Sequence, residues 1–272
     1  MINSQNKSNQ NRKKLKPVFA GITLSILILF LAITQLYESG LVIKRAQQSP
    51  NELHAQAGEK FFLADRREVF GVEGKVALLN FDQFVAEDHR RVAKLMIFFW
   101  GNPDELVGKT YRVEATNQYS EKLLLSKGTL TSALNSEDAH TLTSFTPFPK
   151  EGEWQLSFYV GDALYEEFTL NVLPPFPKTE HYEIINSPAE LNVGIESPVT
   201  IESSWEDKKE IEVKLLNEAG EVIDQDIFKQ DAMNYDASTS HSVYLFDGTL
   251  TFPKRGTWEL EIDGEKTKLF VN

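Results

Sequence analysis

Cysteine is absent from all 272 residues. That excludes disulfide scaffolds, thiolate zinc sites, iron–sulfur clusters and cysteine nucleophiles together. The glycine-rich signatures G-x-x-x-x-G-K-[ST] and G-x-G-x-x-G are also missing, so no backbone cradle for a nucleotide phosphate is evident. Neither G-x-S-x-G, which exposes a serine nucleophile, nor H-E-x-x-H, which presents two zinc ligands from one helical face, occurs. The five histidines, His54, His89, His140, His181 and His241, stand more than four residues apart. Glu87-Asp88-His89 and Glu137-Asp138-Ala139-His140 set two adjacent acids beside a histidine, and there a hard-cation site competes with a plain solvated loop. The acidic turn Asp224-Gln225-Asp226 lacks the alternating ligands and central glycine of a calcium loop. No cofactor and no metal are expected, and the chain reads as a non-enzyme. A cell-envelope hydrolase with a triad gathered from distant loops is the minority alternative.

Positive charge is scarce outside the first residues. Lys7, Arg12, Lys13, Lys14 and Lys16 stand in residues 1–16 without an acid, and residues 17–37 carry no charge. Those five bases leave 23 of the 28 for the rest, so from Glu38 onward 40 acids face 23 bases, a formal −17. Phosphate affinity comes from clustered Lys and Arg, so nucleic acid is not an expected partner.

From Val18 to Leu36 the polar members are Thr23, Ser25, Thr34 and Gln35. As a helix rising ~1.5 Å per residue this run reaches roughly 28 Å, close to a hydrocarbon core of ~30 Å. A cleaved signal has a shorter apolar core and a small-x-small site, and no A-x-A follows here, which favours an uncleaved anchor. Bases beside the segment number five before it against Lys44 and Arg45 after it, which places the N-terminus in the cytoplasm. The expected order is a basic cytoplasmic tail at 1–16, a transmembrane signal anchor at 17–37 and a stalk at 38–67, with a short helix starting at Ser49-Pro50 and running through Lys60.

Beyond residue 68 the pattern becomes short Val/Ile/Leu/Phe/Tyr runs between turn signals, which is the mark of strands. They are expected at about 75–81, 92–100, 110–117, 122–130, 153–160 and 164–172, then 183–193, 198–205, 210–216, 221–229, 241–251, 256–262 and 266–271. FPKEGEWQL at 148–156 recurs as FPKRGTWEL at 252–260, and a second tryptophan precedes each copy by 54 residues (Trp100 to Trp154) or 53 (Trp205 to Trp258). This internal repeat predicts two copies of one all-β domain, 68–174 and 180–272, joined by the proline-stiffened LPPFPKTE at 173–180. Six or seven strands in about 90–105 residues fit a tandem pair of immunoglobulin-like β-sandwiches behind a single transmembrane helix. Trp100, Trp154, Trp205 and Trp258 are then expected in the cores, with the two domains little coupled across the linker.

In the first copy IFFWGN (97–102), LVGK (106–109), ALNSEDAH (133–140), FPKEGEW (148–154) and YVGDALY (159–165) resemble, in the same order, a family of uncharacterised Gram-positive extracytoplasmic domains of unknown function. The resemblance spans roughly residues 90–172 and implies an immunoglobulin-like fold in a cell-surface setting, with no reaction attached. The second copy shares only FPK-x-G-x-W. The leading expectation is a single-pass extracytoplasmic binding protein whose partner is an envelope protein or an extracellular ligand. Its expected contact loops hold Asn102, Asp104, Glu105, Glu137, Asp138 and His140. The alternative is an accessory or sensory subunit whose helix pairs in the membrane through Gly21 and Ser25, a small-xxx-small face.

Overall fold

The computed structural model describes residues 53–79, 82–205, 208–236 and 241–272. The basic tail, the expected anchor and most of the stalk lie outside them. Among the described residues no helix is long and apolar enough to cross a membrane. The fold is all-β and sandwich-like.

The first part contains β1 (Glu59–Phe62), β2 (Glu68–Val72), β3 (Val76–Leu79), β4 (Leu95–Phe99), β5 (Thr110–Asn117), β6 (Lys122–Thr129), β7 (Thr131–Ser132), β8 (Ala139–Thr143), β9 (Gly152–Val160) and β10 (Ala163–Val172). One sheet runs β1-β2-β3-β4-β8-β7 and the other β10-β9-β5-β6. Alternation puts Val76, Leu78, Ile97, Phe99 and Ala139 of the first sheet against Tyr111, Val113, Ala115, Leu156, Phe158 and Phe168 of the second in one buried core. Phe158 and Phe168 stack with ring centroids 5.3 Å apart, and Phe99 meets Phe158 edge-on at 6.3 Å, so aromatic surface carries much of this core.

The second part contains β11 (Tyr182–Ile184), β12 (Ser197–Ser203), β13 (Glu210–Asn217), β14 (Val222–Asp236), β15 (His241–Leu250), β16 (Thr257–Ile262), β17 (Glu265–Lys266) and β18 (Phe270–Val271). Its order is β11-β12-β15-β14-β13-β16-β17, with β18 also beside β16. The long strand β14 pairs with β13 up to Lys229 and with β15 from there on, bending at an irregularity between Gln230 and Ala232. In the first copy the same passage is made by β6 and β7, which pair with β5 and β8. Strand for strand, β3-β4-β8-β7 corresponds to β11-β12-β15-β14, and β10-β9-β5-β6 to β17-β16-β13-β14.

The repeat extends to atomic detail. Asn117 lies opposite Trp154 and Asn217 opposite Trp258. Asn117 Oδ1 accepts from the N–H groups of Tyr119 and Glu121 at 3.0 Å each, and its Nδ2 donates to Glu121 Oε2 at 2.7 Å. Asn217 does the same with Ala219, Glu221 and the Glu221 carboxylate. These turns need a left-handed residue, filled by Gly220 at φ 77° and by Ser120 at φ 61°. Phe148 packs edge-on to Trp154 at 5.4 Å, and Phe252 to Trp258 at 6.0 Å.

Several expectations need correction. The end of the stalk belongs to the first sandwich: Ala57 bridges Thr169, and β1 pairs with β2. Residues 53–60 accordingly form no helix. The strand expected at 183–193 stops at Ile184, because Pro188 opens a 3-10 turn at Pro188–Glu190. The strand expected at 221–229 continues to Asp236, and that at 266–271 is broken into β17 and β18. Trp154 and Trp258 are buried, but Trp100 and Trp205 are not. Parity explains Trp100: Ile97 and Phe99 point into the main core, so Phe98 and Trp100 face the other side, where they pack with Phe61. Trp205 shares the inward parity of Val199 and Ile201, but β12 ends at Ser203 and the indole stays 41% exposed.

The linker is not a bare spacer. Phe176 is buried with Val85 and Leu173, and the guanidinium carbons of Arg90 and Arg91 lie 4.9 and 5.6 Å from its ring centroid. Arg90 reaches Glu202 and Glu183, Arg91 reaches Glu190 at 3.0 Å, and Lys178 pairs with Glu87 at 3.0 Å. The buried carboxylate of Asp88 holds both arginines in place, accepting from Arg90 Nε at 2.9 Å and from the Arg91 N–H at 3.0 Å. Glu87 and Asp88 of the Glu87-Asp88-His89 cluster thus serve the junction between the sandwiches, while His89 is exposed.

Trp154→Ala or Trp258→Ala should cost its own sandwich ~3–5 kcal/mol, the usual loss on emptying a large aromatic site. Denaturant unfolding followed separately in each copy checks this, and an unchanged midpoint for either variant would refute the packing role. The junction makes a second claim. Residual dipolar couplings from the two sandwiches should fit one alignment tensor in the parent protein and require two in Arg90→Ala/Arg91→Ala; a parent that already needs two would show that the junction does not hold.

Candidate functional site

The segment after β4 and the segment before β8 meet at one end of the first sandwich. Asn102 Oδ1 caps a single helical turn, Pro103–Leu106, by accepting from the Asp104 N–H at 3.1 Å, while Leu106 plugs the core beneath. Asp138 Oδ2 accepts from the Gly101 N–H at 2.8 Å, the Trp100 indole donates to the Ser136 carbonyl at 3.1 Å, and the Asp138 N–H donates to the Phe99 carbonyl at 2.9 Å. From β10, the Tyr165 hydroxyl donates to the Trp100 carbonyl. Burial, then the charges of Asp138 and Glu166, push this phenol above its ordinary pKa and keep it a donor.

The six loop residues expected from the sequence therefore divide by role. Asp104 and Glu105 are exposed on the helical turn and available for contact. Asn102 and Asp138 shape the loops. Glu137 is 2% exposed, and its Oε1 accepts from the N–H of Leu134 at 2.6 Å and of Asn135 at 3.3 Å. It folds its own loop and is withdrawn from any partner. His140 lies on β8, where its Nδ1 is 2.7 Å from the Ser132 carbonyl of β7. Among the described residues no three His, Asp or Glu side chains gather in a way that could hold a metal ion.

A second cluster, which sequence reasoning missed, surrounds the exposed Trp205. The His181 ring meets its indole edge-on at 4.9 Å, and Lys208 Nζ lies 4.4 Å from the indole centroid. His181 Nδ1 is 2.7 Å from Glu265 Oε1, and the Thr179 hydroxyl donates to Glu265 Oε2 at 2.7 Å. Lys208 bridges the Tyr182 hydroxyl and Asp263. These residues come from the linker end, the segment after β12 and the turn between β16 and β17, so no local spacing announces them. The one available signal was Asp263-Gly264, whose turn puts Asp263 at φ 49°.

Burial alone would raise the pKa of Asp263, but Lys208, the Glu212 N–H and Tyr182 hold it below its ordinary value. Glu265 is likewise held down against burial, by Thr179 and His181. A carboxyl depressed in the folded state adds stability that is complete above the unfolded carboxylate range, about pH 4, and is lost as pH falls through the folded value. The second sandwich should therefore lose stability on acidification. Asp263→Asn should lower its midpoint at neutral pH and flatten that acid dependence; midpoints between neutral and acid pH that fall equally in parent and variant would count against the assignment.

Compared with known proteins, the chain matches no family model and no curated sequence.

Proposed function

We propose that the protein is a membrane-anchored, extracytoplasmic binding protein with two immunoglobulin-like domains, and that the loop end of the first domain is its contact surface. The strand order supports the fold reading. β3-β4-β8-β7 facing β10-β9-β5 reproduces the two sheets of an immunoglobulin-like sandwich, and the second copy repeats them. The charge-free run at 17–37, with its basic flank, supports the anchor and a cytoplasmic N-terminus. The likeness of residues 90–172 to Gram-positive cell-surface domains belongs to the same reading.

One observation carries the proposal. Two loops far apart in sequence are pinned into a single surface by the Asp138 to Gly101 bond and the Trp100 to Ser136 bond, and that surface presents Asp104 and Glu105 to solvent. Recognition residues on rigid scaffolds sit in such loops, because loops vary without disturbing the core. Two exposed acids on a strongly acidic surface suit a partner with a complementary basic patch, whether an envelope protein or an extracellular ligand.

A photoreactive side chain placed at position 104 of the full-length protein in intact cells should give a discrete adduct. Asp138→Ala, which releases the loop, should reduce that adduct several-fold. The same adduct formed from position 223, on the outer face of β14, or no adduct at 104, would overturn the proposal.

A further inference from the structure

The two copies of FPK-x-G-x-W differ most in charge. The first carries Lys150, Glu151 and Glu153, a formal −1, whereas the second carries Lys254, Arg255 and Thr257, a formal +2 in an otherwise acidic chain. The surroundings differ in the same sense. In the first copy Glu121, held by Asn117, gives its other oxygen to Lys150 at 2.7 Å. In the second copy Glu221 is held by Asn217 in the same way at 2.8 Å, yet neither Lys254 nor Arg255 has an ion-pair partner among the described residues. Both are exposed.

These cations border a cleft of about 420 Å³ between the β13–β14 turn and the FPK turn, lined by Asn217, Glu218, Lys254, Arg255 and Trp258 among others. With one acid against two bases, the lining has a net positive charge. The wall of the cleft is also built differently in the two copies. Asn272 is 5% exposed, and its Oδ1 accepts from the Gly256 N–H at 3.0 Å and the Trp258 indole at 2.9 Å, both groups of the cleft wall. Its Nδ2 is buried without a hydrogen-bond partner. In the first copy the equivalent indole is satisfied locally, by the Lys150 carbonyl at 3.1 Å.

We infer that the second sandwich binds an oxyanion, a phosphate or carboxylate group, in this cleft through Lys254 and Arg255. An arginine fork offers paired N–H donors to either group, and an adjacent lysine adds a point charge. The first copy cannot do so, because its lysine is already neutralised and two further acids repel anions. The site is at the turn end of the second domain and is independent of the loop surface proposed above.

The full-length protein in detergent micelles, labelled with ¹⁵N only in its four tryptophans, gives a direct test. Inorganic phosphate and acetate are titrated separately at constant ionic strength made up with chloride. The Trp258 indole signal should move saturably with one or both anions, while the Trp154 signal stays still as the internal control. A tighter response to phosphate assigns a phosphate-bearing ligand, and a tighter response to acetate a carboxylate. Lys254→Ala/Arg255→Ala should weaken the response at least fivefold. So should Arg255→Glu/Thr257→Glu, which restores the charges of the first copy; an unmoved signal from Trp205, in the same sandwich but away from the cleft, shows that either variant is folded. A response shared by Trp154, no response to either anion, or a response that survives both variants would overturn the inference.

Discussion

The pairing of an asparagine turn with a tryptophan across neighbouring strands sets everything else in each sandwich. Asn117 and Asn217 fix the β5–β6 and β13–β14 turns through their own side chains, and on the other side of the same strands they lie opposite Trp154 of β9 and Trp258 of β16. Because side chains alternate along a strand, a slip of one residue would send Trp154 or Trp258 to solvent and Glu153 or Glu259 inward. Phe148 and Phe252, on the segments that lead into β9 and β16, then lock these indoles by edge-on packing. A core without disulfides relies on such large, directional contacts to select one register.

How much of this was legible in the sequence depended on how local the cause was. Strand 110–117 coincides with β5, because alternation, a closing Asn and a polar turn all act within one run. Duplication was legible from six residues shared over a nine-residue stretch, and the two copies do share a strand order. The strands that were missed, β1, β2, β7 and β8, are short and draw their register from neighbours distant in the chain. β7 has two residues, and β8 begins inside the acidic segment that reads as loop. Trp205 was misplaced for a related reason: its parity is right for the core, but the strand ends two residues too early to deliver it.

The candidate sites show the same division. The loops after Trp100 and before the FPK turn could be singled out from the sequence, but that they meet, and what each of their residues does, could not. Glu137 and Asp104 look alike in sequence; one is sealed into its own loop by two backbone N–H groups, and the other stands in solvent on a capped turn. The junction was hidden because its parts come from a loop before β4, the linker and three places in the second copy. Arg90 and Arg91 read as surface charge until Phe176 and Asp88 supply the ring and the carboxylate that hold them.

The bend in β14 has a consequence for life at high concentration. Past Gln230 the strand gives its hydrogen bonds to β15 on one side, and no described strand occupies the other. A sheet margin of this kind, with Met233 and Tyr235 more than half exposed, is a template on which a stray chain can add itself. The sequence places charge near it: Asp231 lies at the bend, while Asp226 and Asp224, further back along the strand, accept from the N–H groups of Thr249 and Thr251. An incoming strand would meet this exposed acid at the bend, and a second copy of this acidic chain supplies few matching bases. A single aspartate that reads as ordinary surface solvation thus stands where a gatekeeper charge is most useful, at the bend from which a long, partly apolar strand runs open to water.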